Sequence, residues 1–288
     1  ENKIEFGLGH FNYAFSHVSS LFYFNSLFKT YFTGHYFYQI GQLSIMILVN
    51  TILLENLFNR SKNSKLNLIF FVSLFCIFFI NIFFYRLAEH GTDRSAQILF
   101  FLCVIIIIDI LQSKNILNKN IEVLLILFTL IITIKSFYIL YTLVLFFVYF
   151  RFYKLKDFPK IFRRFSIVYI CLFIFVLMLI YNISNSGCLL YPVEITCPDN
   201  LFWSYGKDKI IGYMSWYELW SKAGATPALR VENPEEYLSG LNWVGNWLDE
   251  YFFNKVSDYI FGIIAAIIIT ISFFKLKMVS LANFDKFK

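Results

Sequence analysis

Charged residues are scarce in this 288-residue chain, since Asp, Glu, Lys and Arg together make up only 15% of it. Soluble domains average about 25% charged residues. The hydrophobic share is instead 58%, the aromatic share is 21%, and the mean hydropathy is +0.62. One aqueous globule cannot bury that much apolar surface. The composition therefore excludes a soluble enzyme, a disordered tail and a nucleic-acid-binding domain, and it predicts an integral membrane protein.

The formal net charge of +6 does not indicate a nucleic-acid partner, because Lys and Arg form short clusters between apolar runs. The first residue is Glu1 rather than Met, and no signal peptide precedes it. We therefore expect the chain to be a fragment of a longer protein.

Long apolar runs alternate with these basic clusters. A helix needs about 20 apolar residues to cross a hydrocarbon core about 30 Å thick. The candidate spans are 37–57, 66–85, 96–111, 121–150, 165–181 and 259–274. Only Lys135 and Ser136 interrupt the run at 121–150, which is too long for a single untilted crossing.

The positions of the basic residues predict the topology. Lys and Arg cluster at 60–65, 114–119, 151–164 and 275–288, and cytoplasmic loops carry such an excess. The chain must therefore leave and re-enter the cytoplasm within 121–150, with Lys135 near the outer turn. The sequence predicts an all-α, polytopic transmembrane helix bundle of about seven spans. Its predicted parts are a bundle with an N-terminal juxtamembrane helix (1–181), an exoplasmic loop (182–258), and a last helix with a cytoplasmic tail (259–288).

The 182–258 loop has the composition of an ordered outer segment. It carries ten acidic and five basic residues, and it holds all five Trp and four of the five Pro. Trp, Tyr and Leu recur at helical spacing in 213–221 and 237–253, which predicts short amphipathic helices. Two interpretations of the Trp residues remain open, namely anchoring at the lipid headgroups and a platform on which sugars stack.

Five cysteines divide into two groups. Cys76, Cys103 and Cys171 lie in apolar runs, where they are expected to pack without reacting. Cys188 and Cys197 lie nine residues apart in the outer loop, and an oxidising compartment would allow them to form a disulfide. The absence of a neighbouring His argues against a metal site at this pair.

Lys135 is the clearest ionisable residue at membrane depth, and such residues default to functional hypotheses. Its ammonium group would bind a phosphate of a lipid-linked substrate. The competing interpretation is that it extends to the outer headgroups from a helix end.

The short outer loop at 86–94 concentrates five ionisable side chains. Glu89, His90 and Asp93 are candidates for acid and base catalysis or for binding a divalent cation, and Arg86 and Arg94 are candidates for clamping a phosphate. A solvated loop that merely carries charge is the alternative.

The N-terminal segment places His10 and His17 seven residues apart. In a helix these two side chains lie on one face, where they would line a catalytic cavity. The alternative is a polar, aromatic helix lying at the membrane surface.

Four segments resemble bacterial polytopic membrane proteins encoded in surface-polysaccharide gene clusters. They are GLGHFNYAFSHVSSLFYFNSLF, RLAEHGTD, TIKS and SGCLLYPVEITC, in that order along most of the chain. These proteins, which are uncharacterised, in turn look like GT-C type glycosyltransferases, which use polyprenyl-phosphate sugars on the exoplasmic side. In that fold a catalytic Asp or Glu lies in the first outer loop, and we expect that loop to precede Glu1.

The resemblance implies a function and a set of roles. It implies a glycosyltransferase of cell-envelope polysaccharide or glycolipid synthesis in the bacterial inner membrane, with a lipid-linked sugar donor and a glycan acceptor. Asp93, with Glu89 and His90, would supply acid–base groups. Lys135 would face the donor phosphate with Arg86 and Arg94, and His10 and His17 would assist. The cofactor is unknown, and a divalent cation is one candidate.

Three alternatives remain, of which one is a structural or assembly membrane protein. An O-antigen polymerase or ligase would use Arg and His of the long outer loop, where Arg230 is the only Arg and no His occurs. A transporter or flippase would show paired charges and broken helices.

Overall fold

The computed structural model describes residues 6–33, 37–61, 68–84, 87, 91–113, 118–152, 166–226, 229–252, 260 and 264. Within these ranges the chain is helical, and its one pair of bridged residues is Ala225 with Arg230. The helices in chain order are α1 Leu8–Phe11, α2 Ser20–Ser26, α3 Ile40–Ser61, α4 Leu68–Phe83, α5 Gly91–Ser113, α6 Asn118–Ile134, α7 Thr142–Phe152, α8 Ile167–Ser186, α9 Lys207–Ser221, α10 Pro234–Leu238 and α11 Val244–Trp247. Short 3₁₀ turns occupy Tyr13–Ser16, Ser136–Tyr141 and Glu194–Thr196, and a π-helical turn occupies Leu248–Phe252.

The chain folds as two compact units. Unit 1 comprises residues 1–17 and 179–267, and unit 2 comprises residues 18–178 and 268–288. From the sequence we placed the first 181 residues in one domain. The structure instead groups the N-terminal segment that holds His10 and His17 with the long 182–258 segment.

Three helices of the described residues are long and apolar enough to cross a membrane, namely Ile40–Asn59, Thr92–Gln112 and Ile167–Ser186. These helices indicate association with a lipid bilayer. The prediction of seven spans is not supported, because Leu68–Phe83, Asn120–Ile134 and Ser136–Phe152 are shorter than the required length. A helix of 16 residues extends only about 24 Å, which is less than the hydrocarbon thickness. The run at 259–274 lies outside the described residues apart from Ile260 and Ile264.

The apolar run at 121–150 divides at Lys135. Helix α6 ends at Ile134, and Lys135 adopts an extended backbone with φ −147° before the 3₁₀ turn begins. The amide of Lys135 still donates to the carbonyl of Ile131 at 2.9 Å, and the amide of Tyr138 donates to the carbonyl of Lys135 at 3.1 Å. The break therefore places the charged side chain where one helix stops and the next begins.

Helix α5 is central in unit 2. Of its candidate span 56% is buried, against 22% for each of the other two candidate spans. Helices α3, α4 and α6 pack against it. Its buried residues join those of the neighbouring helices in one aliphatic core. The outward faces of the outer helices carry exposed Phe, Ile and Leu, as a lipid environment allows.

Polar side chains join helices within unit 2. The Asn25 side chain of α2 donates to Gln42 Oε1 at 2.9 Å and accepts from the Gly41 amide at 2.8 Å. Asn81 of α4 donates to Asn50 of α3 at 3.0 Å. Hydrogen bonds of this kind fix helix pairs where apolar contact alone gives little preference.

Unit 1 contains short helices with partly buried aromatic faces. Helix α9 buries Ile210 and partly buries Tyr213 and Tyr217, a spacing that covers one helical face. The helix predicted at 213–221 thus begins earlier, at Lys207. The helix predicted at 237–253 is divided into α10, α11 and the π-helical turn. Gly240, with φ +57°, lies between α10 and α11, in a conformation that an ordinary helix does not contain.

Candidate functional site

Asp93 and Lys135 form an ion pair in unit 2. Lys135 Nζ lies 2.8 Å from Asp93 Oδ1, and the two side chains are 36% and 48% exposed, respectively. An exposed pair of this kind contributes at most about 1 kcal/mol to stability. Both charges therefore remain accessible to a ligand, and packing does not require them.

The backbone explains why these two residues meet. Asp93 lies in the first turn of α5, where a carboxylate is stabilised by the helix dipole. Lys135 directly follows the last residue of α6. Helices α5 and α6 pack against each other, and the ion pair joins the start of one to the end of the other. The two helices thus run antiparallel and bring residues 42 positions apart together.

A second cation lies beside the pair in sequence. The Arg94 guanidinium lies 4.6 Å from the centre of the Phe84 ring, and its Nη1 donates to Gln97 Oε1 at 3.2 Å. The buried Tyr138 hydrogen-bonds the same Gln97 side chain. These contacts orient the Arg94 guanidinium.

The arrangement combines two cations with one carboxylate. Lys and Arg side chains bind phosphate oxygens through charge-assisted hydrogen bonds. A carboxylate accepts a proton from a hydroxyl once its own partner is withdrawn. We call Asp93, Arg94 and Lys135 the ion-pair site. Within the part of the chain that the structure describes, no group of three His, Cys, Asp or Glu side chains has the geometry to hold a metal ion.

Three of the candidate residues cannot be placed. Arg86, Glu89 and His90 lie outside the described residues. Their roles as phosphate clamp and acid–base groups therefore stay predictions, as does a cation bound by Glu89, His90 and Asp93.

His10 and His17 lie in unit 1, among tyrosines. His10 Nε2 donates to the carbonyl of Trp203 at 2.9 Å, and its ring lies 4.6 Å from that of Tyr205. His17 Nε2 lies 2.7 Å from Tyr217 Oη. The backbone bond of His10 connects the N-terminal segment to the 182–258 segment. His17 is instead hydrogen-bonded to a phenol at an exposed position.

A cluster of phenols, Tyr191, Tyr205, Tyr213 and Tyr217, forms the centre of unit 1. Tyr205 Oη lies 2.6 Å from Ser16 Oγ, and Tyr191 Oη lies 3.4 Å from Tyr217 Oη. Burial raises the pKa of Tyr191. Burial also raises the pKa of Tyr205, and this effect outweighs the hydrogen bond with Ser16, which lowers it. Both hydroxyls are therefore neutral at physiological pH.

Cys188 and Cys197 are joined in a disulfide beside these tyrosines. Their Cα atoms lie 4.0 Å apart, and both residues are buried. The Leu189 amide donates to the carbonyl of Thr196 at 3.0 Å and closes the same loop. A disulfide of this kind persists in an oxidising compartment.

A family model described as a domain of unknown function, DUF8201, matches residues 4–283. The chain belongs to the DUF8201 family. Comparisons with curated proteins and with solved structures find no match in either set. The DUF8201 match covers both units, so the ion-pair site and the tyrosine cluster are parts of one family domain.

The sequence identifies some of the site residues of this DUF8201 chain and not others. It assigned to one functional set the residues Asp93, Glu89, His90, Lys135, Arg86, Arg94, His10 and His17. Of these, the structure places Asp93 against Lys135. It did not find Tyr191, Tyr205 or Gln97. Tyr213 and Tyr217 lie one helical turn apart, which was a usable signal, whereas Tyr191 and Tyr205 precede α9 and reach the cluster only through the fold.

Proposed function

We propose that this DUF8201 protein is a multi-pass, GT-C-like glycosyltransferase of the bacterial inner membrane. It would transfer a sugar from a polyprenyl phosphate to a cell-envelope glycan on the exoplasmic side. The observation that carries the proposal is the Asp93–Lys135 ion pair, an accessible carboxylate and ammonium joined at 2.8 Å in a largely apolar unit. Stability gives little reason to retain such a pair.

The ion pair provides a way to couple donor binding to base activation. An arriving donor phosphate competes with Asp93 for Lys135, and Arg94 supplies the second cation. The released Asp93 carboxylate then accepts the proton of the acceptor hydroxyl. A bond forms between that oxygen and the anomeric carbon, and the bond from this carbon to the phosphate oxygen breaks. The electron pair leaves with the lipid phosphate, whose charge Lys135 and Arg94 stabilise.

The disulfide supports the proposed orientation. Because Cys188 and Cys197 pair in unit 1, we place the 182–258 segment on the oxidising side of the membrane. Maleimide labelling of a cysteine introduced at exposed Ile195 tests this placement. Intact cells should react. Reaction only after permeabilisation would place the segment in the cytoplasm.

The enzymatic proposal is tested in the native host by replacing the chromosomal gene with Asp93→Asn or Lys135→Ala. Each variant should lower the amount of the dependent surface glycan at least tenfold, measured by composition and linkage analysis, with unchanged protein in the membrane. The control is Lys207→Ala, which removes the exposed Lys207–Asp199 pair of unit 1. An unchanged glycan in both site variants would refute the proposal.

A second candidate function is a flippase for a lipid-linked glycan, and the break of the helix at Lys135 beside a charge pair favours it. Purified protein in proteoliposomes separates the two. A glycosyltransferase makes a new glycosidic bond that mass spectrometry detects, whereas a flippase only moves the intact donor between leaflets.

A further inference from the structure

We infer that an apolar cavity between α6, α7 and α8 binds the hydrocarbon chain of an isoprenyl phosphate whose phosphate lies at Lys135. This inference rests on the proposed function and names the part of unit 2 that recognises the lipid. The cavity has a volume of about 430 Å³, within the range of small-molecule sites.

One wall is a stripe along α6. Ile121, Leu125, Phe128 and Ile132 recur at intervals of four and three residues, so they share one helical face. This stripe extends over about 16 Å at the rise of an α-helix. Cys171 of α8 contributes to the opposite wall.

The two threonines that line this cavity already have backbone hydrogen-bond partners. Thr129 Oγ1 donates to the Leu125 carbonyl at 2.8 Å, and Thr142 Oγ1 donates to the Ile139 carbonyl at 2.6 Å. Their hydrogens point at the backbone and not into the cavity. A cavity with apolar walls does not hold water well, and it accepts hydrocarbon.

The charge at one end specifies the headgroup. Ile132 lines the cavity three residues before Lys135, and Ile139 lines it four residues after. Lys135 therefore follows the last residue of α6 and lies in sequence between two residues that line the cavity, and its ammonium pairs with Asp93. A ligand that fits both the apolar cavity and the ammonium group of Lys135 is an amphiphile with an apolar tail and an anionic head.

The size suits one chain better than two. The volume of about 430 Å³ lies at the lower end of the range of small-molecule sites, so the cavity accommodates the first units of one isoprenyl chain rather than two acyl chains side by side. Phe146 and Leu172 line the cavity and are 42% and 44% exposed, so the rest of a long chain can leave through this side.

Photolabelling of the full chain in nanodiscs tests the inference. The probe is geranylgeranyl phosphate with a diazirine in its chain, and the matched probe is the same alcohol without phosphate. Mass spectrometry should locate the label of the phosphate probe on 121–132 or on the facing part of α8. Lys135→Ala should lower labelling by the phosphate probe to the level of the alcohol probe.

Variants that fill the cavity provide the decisive test. Cys171→Phe should lower labelling at least tenfold, whereas Ile170→Phe, on the exposed side of the same helix, should stay within twofold of the wild type. Thr129→Phe repeats the test from the α6 wall, with Leu130→Phe as its control. Each variant is accepted only with a wild-type elution profile in size-exclusion chromatography.

Three results would overturn the inference: label outside the cavity walls, equal labelling of the filled and control variants, or displacement of the probe by phosphatidylglycerol as effective as that by unlabelled geranylgeranyl phosphate. The labelling reaction contains no sugar, so its outcome is independent of glycosyl transfer. Labelling that the filled variants abolish, in a protein whose ion-pair variants leave the glycan unchanged, would sustain the lipid site and refute the glycosyltransferase.

Discussion

Unit 2 buries mainly aliphatic and phenyl side chains, whereas the core of unit 1 consists of phenols and a disulfide around a single isoleucine, Ile210. The core of unit 2 extends over α2 to α7, and its outer faces are apolar as well. Unit 1 has a small core whose hydroxyls bond to one another and to Ser16 and His17. Close packing of whole helices stabilises the larger core, whereas the smaller core relies on a cross-link and specific hydrogen bonds.

The largest expected difference in stability between the two units comes from removing the disulfide of unit 1. Cys188→Ser with Cys197→Ser should lower the free energy of unfolding of unit 1 by about 3 kcal/mol, because the cross-link no longer restricts the unfolded chain. Tryptophan emission in a denaturant titration measures it, since all five Trp lie in the 182–258 segment. Cys103→Ser, in unit 2, is the control and should leave this emission transition in place. An unchanged midpoint in the double variant would show that the disulfide does not stabilise unit 1.

The next effect concerns Gly187, which ends α8 with φ +77°. A Cβ at this position would lie 2.5 Å from Ser204 Cα, so Gly187→Ala combines left-handed strain with a backbone clash. We expect a loss of about 2–3 kcal/mol in the same titration. Gly240→Ala is the matched control, because Gly240 has φ +57° and open space where the alanine Cβ would lie. Its loss should be about 1 kcal/mol, and equal losses in the two variants would exclude the clash.

Alkaline pH should weaken unit 1 through Tyr191. Burial raises the pKa of this phenol in the folded state. The contribution of the neutral phenol to the free energy of unfolding is therefore fully present below the unfolded pKa of about 10 and is lost as pH rises above it. At pH 11 the loss amounts to about 1.4 kcal/mol. The difference in unfolding free energy between pH 9 and pH 11 should be smaller by this amount in Tyr191→Phe. The same pH dependence in both proteins would contradict the assignment.

The smallest effect on stability is expected at the ion-pair site of unit 2. Lys135→Ala should change the thermal midpoint of the membrane helices, followed by far-ultraviolet circular dichroism, by less than the equivalent of 1 kcal/mol. The same variant should abolish glycan transfer under the proposed function. A large loss of stability would instead make the Asp93–Lys135 pair a structural contact.

Several features followed from the sequence with little ambiguity. Apolar runs predicted helices because a chain in lipid must satisfy its backbone internally. Lys135 was singled out because charge is rare in such runs, and Asp93 because the short loop at 86–94 concentrates ionisable side chains. The number of spans did not follow, because hydropathy alone does not specify where a helix stops. Helix α4 is strongly apolar, but its 16 residues are too few to cross the hydrocarbon core.

The sequence by itself determined the helical class, the association with a bilayer and the segregation of scarce polar residues, because these depend on composition and on local spacing. Only the tertiary structure decided that Asp93 reaches Lys135, that Ser16 and His17 bond to Tyr205 and Tyr217, and that α6, α7 and α8 line a common cavity. Those outcomes depend on which helix faces meet and where each helix ends. Contacts between residues far apart in the chain leave no periodic pattern in the sequence.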